Sequence, residues 1–93
     1  MTRTAIVTGS AQGIGRGIAE RLARDGLSVT LADLPANKDA LAEAARVITK
    51  AGGACRTAFA DVSDQSQVDA LVADHVAALG GLDVMVANAG VTL

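Results

Sequence analysis

Tyrosine and tryptophan are absent from the 93 residues, and Phe59 is the single aromatic ring. That removes the stacking platforms on which single-stranded nucleic acid is held. Basic residues are not in excess either: eight Lys and Arg face ten Asp and Glu, for a net charge of −2, so no basic nucleic-acid footprint is expected. The one cysteine, Cys55, cannot form an internal disulfide, which points to a reducing compartment; it is expected as a small buried residue at a strand start. No Cys/His spacing suggests a metal site, and none is expected. No apolar run approaches the ~20 residues needed to span a bilayer. Met1-Thr2-Arg3-Thr4 leads directly into an apolar strand, with no targeting pattern. The expectation is a cytoplasmic protein without membrane or nucleic-acid partners.

What is present is an aliphatic core: 51% of the chain is hydrophobic, mostly Ala, Val, Leu and Ile. Apolar runs alternate with helical patterns. Thr4-Ala5-Ile6-Val7-Thr8 is short and β-branched and reads as the first strand. From Gly13, Ile14, Ile18 and Leu22 with Ala19 and Ala23 trace a helix that Asp25-Gly26 stops, and Gly17 is expected where helix and sheet approach. Leu27 to Ala32 is a second strand closed by Asp33, and Pro35 keeps it from continuing regularly. Asn37 or Lys38 to about Ala51 carries Leu41, Ala44, Ala45 and Ile48 on one helical face. Ala54 to Ala60 is the third strand. Ser63 is the expected N-cap of a third helix with the stripe Val68, Leu71, Val72, Val76 and Leu79. His75 lies on that stripe and is expected to be partly packed, whereas Lys38 and Lys50 read as solvated charges. Leu82 to Ala87 is the fourth strand. This βαβαβαβ order argues for an α/β fold with parallel strands and right-handed crossovers.

Chemistry gathers where strands end, the place at which open α/β sheets bind ligands. Thr8-Gly9-Ser10-Ala11-Gln12-Gly13-Ile14-Gly15 joins strand one to the first helix. A pyrophosphate needs backbone N–H donors, close approach and positive potential; a helix start supplies the donors and the potential, and glycines permit the approach. A P-loop is excluded because no Gly-Lys-Ser/Thr follows. Asp33 stands eighteen residues beyond Gly15, about the distance at which an acid binds the adenosine ribose; the lesser reading is a helix cap or loop carboxylate. Asp61-Val62 and Asn88-Ala89-Gly90 close strands three and four, and read as either ligand contacts or turn chemistry.

Taken in order, these four motifs resemble the short-chain dehydrogenase/reductase family over the whole chain. The first stretch matches that family's Thr-Gly-x-x-x-Gly-x-Gly turn, and Asn88-Ala89-Gly90 matches most of its Asn-Asn-Ala-Gly motif, with Ala87 in place of the first Asn. The resemblance implies a Rossmann-type three-layer α/β/α fold with strand order 3-2-1-4, residues 1–93 being the N-terminal part of one NAD(P)-binding domain. It implies that Gly9, Gln12, Gly13, Ile14 and Gly15 surround the pyrophosphate. Asp33 would bind the ribose diol with Leu34 beside the adenine, Asp61 and Val62 would contact the adenine, and Asn88 and Gly90 would underlie the cofactor ribose. NAD is expected over NADP, because a carboxylate at Asp33 repels a 2′-phosphate and the position before the second glycine is Gln12, not a base.

The implied reaction is hydride transfer between nicotinamide and a small alcohol or ketone, in a complete enzyme expected to be a homo-oligomer. The family's Tyr, Lys and Ser lie beyond the Asn88 motif in relatives, and this chain has no Tyr, so no catalytic residue is assigned and the 93 residues alone are expected to be inactive. Strand four would then be left as an open apolar edge. Two other readings are a stand-alone nucleotide-binding module and an S-adenosylmethionine-dependent methyltransferase domain. Gly13-Ile14-Gly15-Arg16-Gly17 suits the latter, but Gly9-Ser10-Ala11-Gln12 intervenes after the strand. The run Asp83 to Gly90 resembles that of small-ketone and diol reductases such as acetoin/diacetyl reductases.

Overall fold

The computed structural model describes residues 2–88. Four strands alternate with three helices: β1 Thr4–Thr8, α1 Gly13–Arg24, β2 Ser28–Asp33, α2 Lys38–Lys50, β3 Ala54–Phe59, α3 Gln65–Leu79 and β4 Val84–Ala87, with a 3-10 turn at Pro35–Asn37. All pairings are parallel and the sheet runs β3-β2-β1-β4, the order the family resemblance implies. The order reverses direction between β1 and its two neighbours, which opens a crevice at the carboxyl ends of the strands.

Every residue of β1 is buried, as expected of a central strand covered on both faces. One face carries Ala5 and Val7 of β1 with Val29 and Leu31 of β2, packed against Ala19 and Ala23 of α1 and Leu41, Ala44 and Ile48 of α2. The small alanines let the helices lie close to the sheet. Each large aliphatic side chain buried there contributes about 1.5–3 kcal/mol. The other face is thinner: Ile6, Ala32 and Ala60 pack with Leu71 of α3. Val76 of α3 and Met85 of β4 remain 40% and 41% exposed on that side. Among the described residues, no helix is long and apolar enough to cross a membrane.

Several sequence expectations shift by local chemistry. Leu27 is not part of β2, because its N–H donates to Leu22 O in the turn that ends α1. The N-cap of α3 is Asp64, not Ser63: the Asp64 carboxylate accepts the Ser66 N–H at 3.0 Å, while Ser63 turns back to Asp61. Gly17 faces open space, and the close approach of α1 falls at Gly15. Cys55 is only half-buried, because β3 is an edge strand; its thiol lies 3.5 Å from Ala45 O.

His75 departs furthest from expectation. It is fully buried between α3 and the sheet, with Nδ1 2.7 Å from Thr30 Oγ1 and Nε2 3.0 Å from Thr4 Oγ1. Thr4 donates its one hydroxyl proton to Gly81 O at 2.7 Å, so toward His75 it can only accept. The imidazole is therefore protonated on Nε2, and in the neutral ring Nδ1 accepts from Thr30.

Candidate nucleotide-binding site

The glycine turn is held from two sides. Ser10, fully buried, donates its N–H to Ala32 O at 3.2 Å and its hydroxyl to the same oxygen at 3.3 Å. The next N–H, of Ala11, donates to Asp33 Oδ2 at 3.0 Å. The end of β2 thus fixes the turn at the end of β1. Gly9 and Gly13 adopt φ of +65° and +64°, a region that side-chain-bearing residues avoid.

The start of α1 bears no side-chain cap and no acidic residue in its first turn, so its N-terminal N–H groups are not claimed by a side chain. Gly15 lies against the end of β1: a Cβ there would collide with Gly9 O and stand 2.6 Å from Asn88 Nδ2. Asn88 completes this cluster. Its N–H donates to Thr8 Oγ1 at 3.1 Å and its side-chain amide to Gly9 O at 3.3 Å, while Thr8 Oγ1 donates to Val86 O. The glycine turn, α1 and the end of β4 are thereby locked around one point.

The acids at the ends of β2 and β3 sit beside it. Asp33 is 9% exposed; Oδ2 takes the Ala11 N–H, and Oδ1 takes the Leu34 N–H and Asn37 Nδ2–H, both at 2.8 Å. Asp61 accepts the Ser63 hydroxyl at 2.6 Å and the Ser63 N–H at 2.9 Å, both on Oδ1. Those donors hold its carboxyl below the ordinary carboxylate value.

A cleft of about 500 Å³ joins these ends. Gly9, Gln12, Asp33, Leu34, Asp61, Val62 and Asn88 line it, seven residues that the sequence motifs singled out. Gly13, Ile14 and Gly15 are not in its wall but form the helix start directly after Gln12, with Ile14 68% exposed. Gly90 lies outside the described residues. The sequence motifs did not single out Asn37, Ala60 or Ser63 as site residues, although all three line the cleft with Thr8. The available signal was weak: a polar residue four positions after Asp33 and a Ser two after Asp61 both read as loop chemistry.

A fold of this order with this crevice is a dinucleotide-type α/β architecture. Residues 3–93 match the family model described as short chain dehydrogenase, and the chain belongs to that family. A short-chain dehydrogenase/reductase of Armillaria gallica is 50% identical over 91 residues, covering 98% of this chain and 35% of its own length. An L-2,3-butanediol dehydrogenase of Corynebacterium glutamicum is 43% identical over 91 residues, with the same coverage. Among solved structures, a metagenomic short-chain oxidoreductase in complex with NADP superposes with a TM-score of 0.88 at 36% identity, over 96% of this chain and 39% of that one. The chain thus spans about a third of the length of the curated relatives it matches. The family match removes the methyltransferase alternative.

Proposed function

We propose that this chain is the N-terminal, cofactor-binding part of one Rossmann domain in an NAD(P)-dependent oxidoreductase that interconverts an alcohol and a ketone. The observation that carries the reading is the convergence of four separate strand ends, at Gly9, Asp33, Asp61 and Asn88, on one cleft. The fit to a dinucleotide rests on the uncapped start of α1 and on the close approach of that helix start to the end of β1, which the missing Cβ of Gly15 permits. Gly9, Gln12, Gly13, Ile14 and Gly15 would hold the pyrophosphate, Asp33 and Leu34 the adenosine ribose side, Asp61 and Val62 the adenine, and Asn88 and Gly90 the region beneath the cofactor ribose. The dinucleotide, when bound, supplies the hydride carrier. These residues bind and orient it. With no Tyr among the 93 residues, proton transfer by the family's means is assigned to residues outside them. The lone Cys55 supports a reducing, cytoplasmic setting.

NAD is the preferred form in this reading, because a carboxylate at Asp33 attracts hydroxyl donors and repels a 2′-phosphate. The likeness of the Asp83 to Gly90 run to small-ketone and diol reductases, and the similarity to a butanediol dehydrogenase, support a small hydroxyketone or diol as substrate. Calorimetric titration of NAD and NADP into the wild type and Asp33→Ala tests the cofactor assignment. Wild type is expected to bind NAD at least about tenfold tighter, the equivalent of ~1.4 kcal/mol, and Asp33→Ala to narrow that gap. Tighter NADP binding by the wild type overturns the NAD preference; binding of neither overturns the reading as a whole.

A further inference from the structure

Resting on the assignment of Asp33 to an adenosine ribose, we propose that Asn37 is a specificity-determining residue of the same subsite: it positions Asp33 and reads the second ribose hydroxyl itself.

The argument starts from acceptor capacity. A carboxylate has about four acceptor positions, two on each oxygen. Three are already filled from within the fold. Asp33 Oδ1 receives the Leu34 N–H and Asn37 Nδ2–H, and Oδ2 receives the Ala11 N–H. One position, on Oδ2, is left. A ribose diol brings two donors, so Asp33 as held here satisfies one of them.

The second acceptor stands beside it. A carboxylate cannot donate, so Asn37 presents its amide nitrogen to Asp33, and its carbonyl Oδ1 accepts no hydrogen bond from the described residues. Asn37 lines the same cleft as Asp33.

A further observation about Asn37 points the same way. It occupies the N-cap of α2, where Asn is among the strongest capping residues, its side-chain oxygen accepting from the first turn. Here it makes no side-chain cap. The amide reaches back to Asp33 instead, and the preceding turn is closed by the Asn37 N–H to Leu34 O at 2.9 Å. Its donor side is thus given to Asp33, and because its backbone (φ −101°, ψ 20°) continues the 3-10 turn into α2, its oxygen is not placed to cap the helix. Asp33 Oδ2 and Asn37 Oδ1 together form a two-acceptor reader matched to a vicinal diol, and the Asp33–Asn37 bond sets their spacing.

The test is calorimetric binding of ADP, 2′-deoxy-ADP and 3′-deoxy-ADP to the full chain, as wild type, Asp33→Ala, Asn37→Ala and Asn37→Ser. Asn37 makes no side-chain cap, so neither variant removes a capping bond; serine keeps a polar group but is too short to bridge to Asp33, so a change shared by both variants reports the loss of the Asn37 amide. Wild type is expected to bind each deoxy analogue about tenfold more weakly than ADP, one hydrogen bond apiece. Both Asn37 variants should bind ADP about tenfold more weakly and lose discrimination against one analogue while keeping part of it against the other; unchanged ADP affinity in both, the position vacated on Asp33 Oδ1 taking the second hydroxyl, overturns the role of Asn37 as a reader. If Asp33→Ala erases discrimination but both Asn37 variants retain the wild-type pattern, the ribose site stands and the role of Asn37 falls. If the wild type itself does not distinguish ADP from either analogue, the ribose assignment fails, and this inference fails with it.

Discussion

The backbone N–H of Ala11 donates to Asp33 Oδ2 at 3.0 Å, so the acid expected to read a ribose also holds the turn expected to cradle phosphates. Ala11 is fully buried. Removing the carboxylate therefore strands a buried donor, which costs about 1–3 kcal/mol. Asp33→Ala is expected to lose stability of that order in chemical denaturation, whereas Asp33→Asn, which keeps one acceptor oxygen for Ala11, should lose less. If both variants denature like the wild type, the Ala11 bond contributes no net stability. The comparison also separates two effects in any cofactor titration, since Asp33→Asn reports on charge with the turn more nearly intact.

Two glycines two positions apart in α1 should respond in opposite directions. At Gly15 an added Cβ meets Gly9 O and Asn88 Nδ2, both fixed by their own hydrogen bonds. Gly15→Ala must push α1 off the end of β1, an overpacking cost of about 1–3 kcal/mol, and nucleotide binding should fall with it. At Gly17 a Cβ meets nothing within 4 Å. Gly17→Ala is expected to stabilise by about 0.5–1 kcal/mol through backbone entropy. Thermal melts of the pair decide this; destabilisation by Gly17→Ala would contradict the open space there.

The Asp61 carboxyl is held below its ordinary value of 3.8 first by the Ser63 hydroxyl and then by the Ser63 N–H. Ser63→Ala removes the larger cause and leaves the backbone donor. The Asp61 pKa, followed by carboxyl NMR titration, is expected to rise toward 3.8 without reaching it. An unchanged titration would mean that the hydroxyl bond does not persist in solution.

Much of this arrangement is legible in the sequence because it is local. The strand β1 follows from five consecutive apolar or β-branched residues, and the glycine turn from its spacing. Motifs at strand ends converge because parallel strands place all their carboxyl ends on one edge. The features that escaped depend on contacts with no local mark. Ser63 and Asp64 are both good N-caps, and the choice between them was decided by Asp61 drawing Ser63 away. Asn37 resembles an ordinary helix start until its bond to Asp33 is seen. His75 reads as a half-packed helix residue because its partners, Thr30 and Thr4, lie 45 and 71 positions away in sequence.

That buried histidine gives the chain a stability that depends on pH. Burial is the first cause lowering the His75 pKa from its ordinary 6.5, and the nearby positive charge of Arg56 is the second; a backbone hydrogen bond with Gly81 opposes them. Thr4 and Thr30, the other groups on the ring, are uncharged and do not compensate a proton. In the unfolded chain His75 takes up a proton as pH falls through about 6.5, while the folded chain resists it until lower pH. The unfolded state then binds more protons, so stability rises with pH across that window and is lost on acidification. Glu43, Asp61 and Asp64 have lowered values, so the stability they contribute is lost only at more acidic pH. Urea denaturation between about pH 5 and 7 is expected to show unfolding free energy falling toward the acid side. His75→Gln, which cannot titrate but retains an amide able to donate and accept, should be less stable at pH 7 and should flatten that slope. A wild-type slope that persists in His75→Gln would assign the acid sensitivity to another group.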